Sequence, residues 1–400
     1  MTSPAPPIFN PMDPAFLENP FPFYQLGRRM MPVFHFEQAG IWSVFGYENA
    51  TNILKDNVTW RSAPPAGPDG APAPESPMLF SDPPRHTRLR GLVSQAFTPR
   101  MIEQLEPRIA QIAAELLDQV VPAGACDIVE ALAYPLPVIV IAEILGVPPE
   151  DRATFKEWSD TVVAQLGQGL GPDSQRQPPE ATFSAMADYF TRMADERRAH
   201  PKNDLISGLV AAEVEGSRLS GNELIAMLIL LLVAGNETTT NLIGNAVLEF
   251  MAHPAELQKV LDDGSLLPSA IEEVLRFSSP VQATVRRAAR DIELGGQRIG
   301  AGQQTLVWLA SANRDEAAFG ETAGQFDVTR PLNPRHIAFG LGPHFCLGAP
   351  LARMEAKVAL DAFLRRCKNF HRAGDGPLPR VPTFVMRGLR QLPIAFDPAM

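Results

Sequence analysis

Residues 339–353 read F-G-L-G-P-H-F-C-L-G-A-P-L-A-R, with one cysteine, Cys346, set among glycines. Phe339 lies seven residues before it, Gly342 four before, His344 two before and Gly348 two after. Beyond Gly348 the pattern turns helical through Ala349, Leu351, Ala352, Glu355, Ala356 and Leu360. Cys346 therefore ends a glycine-rich loop just ahead of a helix N-terminus, where free N–H groups and a partial positive charge favour an anion. A cysteine in that place is expected to ionise readily. Glycines let the backbone pass close to something flat and bulky. With no second Cys or His at zinc-like spacing, the pattern suggests one soft axial ligand to a metal cofactor. Haem iron with a proximal thiolate fits. A lone cysteine near a turn is ordinarily a buried structural thiol, but here the whole F-x-x-G-x-H-x-C-x-G frame is filled.

A second stretch carries chemistry of another kind. Ser220-Gly221-Asn222-Glu223 is a capping box, with Leu219 and Leu224 placed to form a hydrophobic staple. The following L-I-A-M-L-I-L-L-L-V is apolar on every face, as in a helix buried all round. Then come Ala234, Gly235, Asn236, Glu237, Thr238, Thr239 and Thr240. A carboxylate and hydroxyls in mid-helix are costly if buried without partners. Threonine can bond back to the carbonyl four residues earlier and loosen the ladder. Gly235 allows the close approach of something flat. A distorted, hydrated turn with a carboxylate beside a hydroxyl could relay protons. Alone, the stretch reads equally well as a polar helix end.

The cysteine frame and the A-G-x-E-T segment together resemble the haem-binding loop and the oxygen-activating turn of the cytochrome P450 family, soluble bacterial type. The resemblance covers nearly the whole chain, as a single catalytic domain over residues 1–400. It implies a mainly α fold: a large helical part around a haem, with small β-sheets and a small β-rich N-terminal part. It implies haem b (iron protoporphyrin IX) with Cys346 as axial ligand and Glu237 and Thr238 as the acid and alcohol of proton delivery. His86 and Arg90, four apart on one helix face, match positions that contact the haem propionates. Arg286 and His344 are further propionate candidates, the register of Arg286 against Arg287 being open. Phe339, Gly340, Gly348, Ala234 and Gly235 would lie against the macrocycle. E-x-x-R, here Glu273 and Arg276, matches a buried structural pair completed by Arg330. Pocket candidates are Ile229, Leu230 and Val233 on the central helix, Val281, Ala283 and Val285 in an extended segment, and Val385 in a late turn.

The implied activity is that of a monooxygenase inserting one oxygen atom from O2 into a C–H bond, with electrons from a ferredoxin and its reductase. Arg85, Arg88, Arg335, Arg353 and Lys357 could form a basic docking patch for that donor. The pocket face of the central helix carries no charge, which favours a neutral apolar substrate such as a terpenoid, steroid or macrolide. An anchoring arginine from elsewhere, Arg61 or Arg176, would instead favour a fatty or aromatic acid. A peroxide-dependent haem enzyme and a non-catalytic recruitment or sensor domain are the rival classes. The Glu237–Thr238 pair counts against the first, and the retained ligand and relay count against the second.

The remaining elements must position these groups within 400 residues, enough for a large core. A net charge of -10 argues against a general nucleic-acid binder. Three sparse cysteines, Cys126, Cys346 and Cys367, suggest a reducing compartment without a disulfide framework. There is no signal-peptide pattern at the N-terminus, and the apolar run from Leu224 to Ala234 falls short of the roughly 18 residues of a membrane span. A cytoplasmic monomer is expected. Residues 34–36 and 41–45 read as a hairpin, Tyr47 to Lys55 as a helix, and the Asp82-Pro83-Pro84 start as the head of the helix carrying His86. Residues 62–77 read as a substrate-facing loop, and residues 165–179 as a mobile lid connection.

Overall fold

The computed structural model describes residues 11, 13–65, 77–166, 180–214 and 216–399. The substrate-facing loop and the lid connection lie largely outside the described residues, as does Arg176.

Local sequence chemistry sets the main elements. Residues Val33–Phe36 and Ile41–Val44 pair antiparallel, with Val33 opposite Val44 and Phe36 opposite Ile41. Gly40, at φ 63°, takes the left-handed position that turns the chain between them. Tyr47–Lys55 is a helix, with Lys55 in its last turn. Arg85–Ala96 begins directly after Pro84. The central helix runs from Gly221 to Ala252, 32 residues, and opens on the expected capping box: Ser220 accepts from the Glu223 N–H while Glu223 accepts from the Ser220 N–H.

The central helix packs against Pro135–Leu145 and against Ala349–Arg366, the helix that follows the cysteine loop. These helices share the largest apolar core, which includes Leu132, Leu145, Leu228, Ile243, Phe250, Leu360 and Phe363, all essentially fully buried. Among the described residues the central helix is the one long and apolar enough to cross a membrane, and half of that apolar window is buried inside the fold. That burial suits a core helix.

A five-stranded sheet lies to one side, in the order Val33–Phe36, Ile41–Val44, Gln304–Val307, Thr284–Ala288 and Trp60–Arg61. Its second and third strands are parallel and the others antiparallel. Trp308, Tyr24, Phe16 and Phe45 form an aromatic core beneath it. A small hairpin, Ile292–Leu294 with Gln297–Ile299, turns on Gly295 and Gly296, both at positive φ.

Glu273 and Arg276 form a buried pair, with both arms at 2.7 Å. Arg276 donates further to the carbonyls of Asn313, Ala323 and Gln325, and Arg330 reaches Glu273 at 3.2 Å. The trio thus ties the helix Leu267–Phe277 to the segment leading into the cysteine loop. A buried pair satisfied this fully is costly to break from one side.

Candidate functional site

The loop before Cys346 is held by backbone geometry. Gly340 and Gly342 sit at φ 71° and 69°. A Cβ on Gly342 would lie 2.5 Å from the Leu54 carbonyl oxygen, so the loop presses directly on the end of the Tyr47–Lys55 helix. The Cys346 N–H donates to the Phe339 carbonyl at 2.9 Å, closing the loop. Gly348 is the N-cap residue of Ala349–Arg366.

The thiol does not follow the expectation of easy ionisation. Burial pushes its pKa above the ordinary value, while the N–H groups of Gly348 and Ala349 and the guanidiniums of Arg90 and Arg353 pull the other way without overcoming it. The helix N-terminus acts as expected; the depth of the thiol outweighs it.

A network not foreseen in the sequence braces the same loop. Arg353 grips Glu272 with two nitrogens, at 2.6 and 2.9 Å, and lies 4.6 Å from the centre of the Phe339 ring. His336 Nε2 is 3.1 Å from the same carboxylate, and its Nδ1 accepts from the Ala338 N–H. Burial alone would raise the Glu272 carboxyl, but His336 and Arg353 hold it down at about 2. Lys357 pairs with Glu106, and Arg85 and Arg88 with Glu223. Four of the five cations expected to form a docking patch are thus already paired.

His86, Arg90, Arg286 and His344 come together. The His86 and His344 rings have centroids 4.1 Å apart. Arg90 donates to the Pro343 carbonyl at 3.1 Å. Arg286 is buried, whereas Arg287 turns to the Gly302 carbonyl at 2.6 Å, so the strand register brings Arg286 into the cluster. Burial, helped by Arg286, His86 and Arg90, pushes His344 down to about 3. Burial pushes Arg286 down to about 10, with Asp82 opposing. His86 is lowered by burial and by Arg90. Among the described residues His344 Nε2 is buried without a hydrogen-bond partner. Among the described residues Asp82 is the one carboxylate acting on this group of cations and N–H donors, and it already accepts from the Ser62 and Ala63 N–H groups.

The central helix is unbroken through 234–241, so no distorted turn interrupts it. Thr238 does bond back, its hydroxyl donating to the Ala234 carbonyl at 2.8 Å. Glu237 accepts from Asn241 Nδ2 at 3.2 Å. Ala234 is exposed although it lies mid-helix in the interior of the fold, and a Cβ on Gly235 would meet nothing within 4 Å. A small-residue step has therefore opened a space beside the helix.

The pocket candidates divide. Ile229, Leu230, Val281 and Val385 are half-buried and Val285 is exposed. Val233 and Ala283 instead pack into the core, Ala283 beside Trp308 and Phe384. The expected extended segment is present, with Thr284 paired to Val307 and Val281 bridged to Met386; the resemblance alone had made Ala283 a pocket candidate. Arg61 lies half-buried on an edge strand.

Residues 180–394 match the family model described as Cytochrome P450. The chain is 40% identical over 406 residues to cytochrome P450 monooxygenase PikC of Streptomyces venezuelae, covering 98% of this chain and 95% of that one. It superposes on cytochrome P450 CYP109Q5 from Chondromyces apiculatus with a TM-score of 0.89 at 40% identity, covering 98% of each chain. CYP109E1 from Bacillus megaterium in complex with testosterone gives a TM-score of 0.85 at 39% identity, over 95% of this chain and 99% of that one. The chain therefore belongs to the cytochrome P450 family, as a haem-dependent monooxygenase.

Proposed function

We propose that this chain is a haem-thiolate monooxygenase oxidising a C–H bond of a small organic molecule with an apolar body, in which Cys346 ligates the iron of haem b. The observation that carries the reading is the convergence of His86 and Arg286, both buried, with the half-buried Arg90 and His344, donors short of an anion among the described residues, near a single loop cysteine. Buried donors left without an acceptor or counter-charge are costly. A flat group bearing two carboxylates satisfies them, and the exposed Ala234 and the open side of Gly235 leave room for its face.

When bound, the haem supplies the activation of dioxygen for C–H oxidation. The chain's own residues do the rest. Phe339, Gly340 and Gly348 would shape the cysteine loop to hold the haem, and Glu272 fixes both Arg353 and His336 beside that loop. Thr238 and Glu237, on the turn that includes Ala234, hold and pass protons at the Thr238 hydroxyl and the Glu237 carboxylate. Rotation of the Thr238 hydroxyl away from the Ala234 carbonyl frees it to donate toward the open side. Ile229, Leu230, Val281, Val285 and Val385 present uncharged surface to the reacting part of the substrate. Electrons come from a ferredoxin and its reductase, the enzyme working as a cytoplasmic monomer with one catalytic domain.

Loading the haem-free protein with haem or with its dimethyl ester tests the carrying observation. Haem should bind at least about tenfold tighter, since each charge-assisted hydrogen bond contributes roughly 1.5–3 kcal/mol. Equal affinities would contradict it.

A further inference from the structure

A cavity of about 230 Å³ lies between the Arg85–Ala96 helix, the short turn Met78–Phe80 and the first turns of the central helix. Met78, Leu89 and Met227 make its walls, and Arg85, Asn222 and Glu223 its polar end. Glu223, Met227, Leu230 and Ala234 fall within an arc of about 60° on the central helix, because seven- and eleven-residue steps nearly repeat its turn. The cavity therefore lies along the same face as the exposed Ala234. Its polar end is roughly 16 Å from Ala234, from a rise of 1.5 Å per residue.

Among the described residues the charges at that end do not cancel. Glu223 Oε1 is held closely by Arg88, and Oε2 accepts from the Ser220 N–H at 3.1 Å. Arg88 also reaches Ser217 Oγ and the Arg218 carbonyl, at 3.4 and 3.3 Å. Among the described residues Arg85 has only the outer contact with Glu223, at 3.4 Å, and about a third of its side chain is exposed, at 32%. Two guanidiniums thus face one carboxylate that the first has already engaged. An apolar cavity ending in a loosely held guanidinium suits an apolar chain ending in an acid, because a planar fork matches a carboxylate with two hydrogen bonds.

We propose that Arg85 is a specificity-determining residue: it anchors the carboxylate of an elongated, long-chain acid whose apolar body runs along the central helix toward Ala234. This rests on the monooxygenase reading and deepens it. The uncharged wall around Leu230 governs the end that is oxidised, and Arg85 governs the far end. The distance excludes compact terpenoids from making both contacts at once.

The test is an optical titration of the haem-loaded protein with palmitic acid and with methyl palmitate, in the wild type, Arg85→Met and Arg85→Lys. The Soret shift reports binding near the iron. The wild type should prefer the acid by roughly tenfold or more, the worth of a charged hydrogen bond. Arg85→Met should abolish the preference while leaving ester affinity unchanged, which also shows that the variant is folded, and Arg85→Lys should restore part of it. An acid-to-ester ratio equal in wild type and Arg85→Met would overturn the proposal. So would the absence of any shift with either compound in a protein whose ferrous carbonyl spectrum is that of a thiolate, a result that leaves the monooxygenase reading standing. A protein without that carbonyl spectrum would overturn both.

Discussion

The loop around Cys346 and the helix around Ala234 meet one shared task by opposite means. At the cysteine, the chain is pinned from several directions: a glycine against the Leu54 carbonyl, a carboxylate gripping Arg353 and His336, and the Glu273–Arg276–Arg330 trio behind. At Ala234 the helix simply lacks side-chain bulk, and the space beside it is left open. The difference teaches where each kind of precision is needed. A ligating thiol must be held by packing and polar partners on rigid elements. On the proposed reading, the face around Ala234 admits substrate and oxygen by keeping side chains out.

The largest expected effect comes from breaking the braced side. Arg276→Ala leaves Glu273 buried without its main partner and should cost about 3–5 kcal/mol of stability, read by urea unfolding. A loss below 1 kcal/mol would mean that Arg330 alone suffices. The next pair of changes sharpens the comparison directly. Gly342→Ala puts a Cβ against backbone at a positive φ and should cost about 1–3 kcal/mol. The larger insertion Ala234→Leu should change the stability of the haem-free protein by no more than about 0.5 kcal/mol, yet sharply reduce haem uptake. Equal stability costs for the two would erase the distinction.

A smaller effect concerns pH. Glu355 lies one helical turn from Leu351 and another from Ala359, is 2% exposed, and its Oε2 has no hydrogen-bond partner among the described residues. Burial pushes its pKa from 4.5 up to about 8. The folded form therefore keeps a proton that the unfolded chain loses first. The stability this contributes is full below pH 4.5 and is lost as pH rises toward 8. Glu355→Gln should flatten that decline in the haem-free protein, as followed by denaturant midpoints between those two pH values. An unchanged slope would mean that the carboxyl is already ionised in the fold.

Much of this was legible in the sequence where the signals are local. The hairpin around Gly40, the capping box at Ser220 and the cysteine frame each involve residues within a few positions, whereas the burial of the E-x-x-R pair was implied only by the resemblance. Long-range partners were not legible. Nothing near Glu272 announces Arg353, 81 residues on, and Arg286 could not be told from Arg287 until strand pairing chose the face. Ala283 was named for the pocket through the resemblance, and its packing beside Trp308 and Phe384 depends on residues far along the chain. Cys346 was expected to ionise because the helix terminus is visible in sequence and burial depth is not. Glu355 did leave a trace: a carboxylate on the apolar face shared by Leu351 and Ala359.

The central claim is that Cys346 is the thiolate ligand of a bound haem. The most direct measurement is the absorption spectrum of the dithionite-reduced, carbon monoxide-treated protein, wild type beside Cys346→His. The account predicts a strongly red-shifted Soret band in the wild type and its loss, with haem retained, in the variant. A wild-type band at the position of imidazole-ligated haem, unchanged by the substitution, would contradict it.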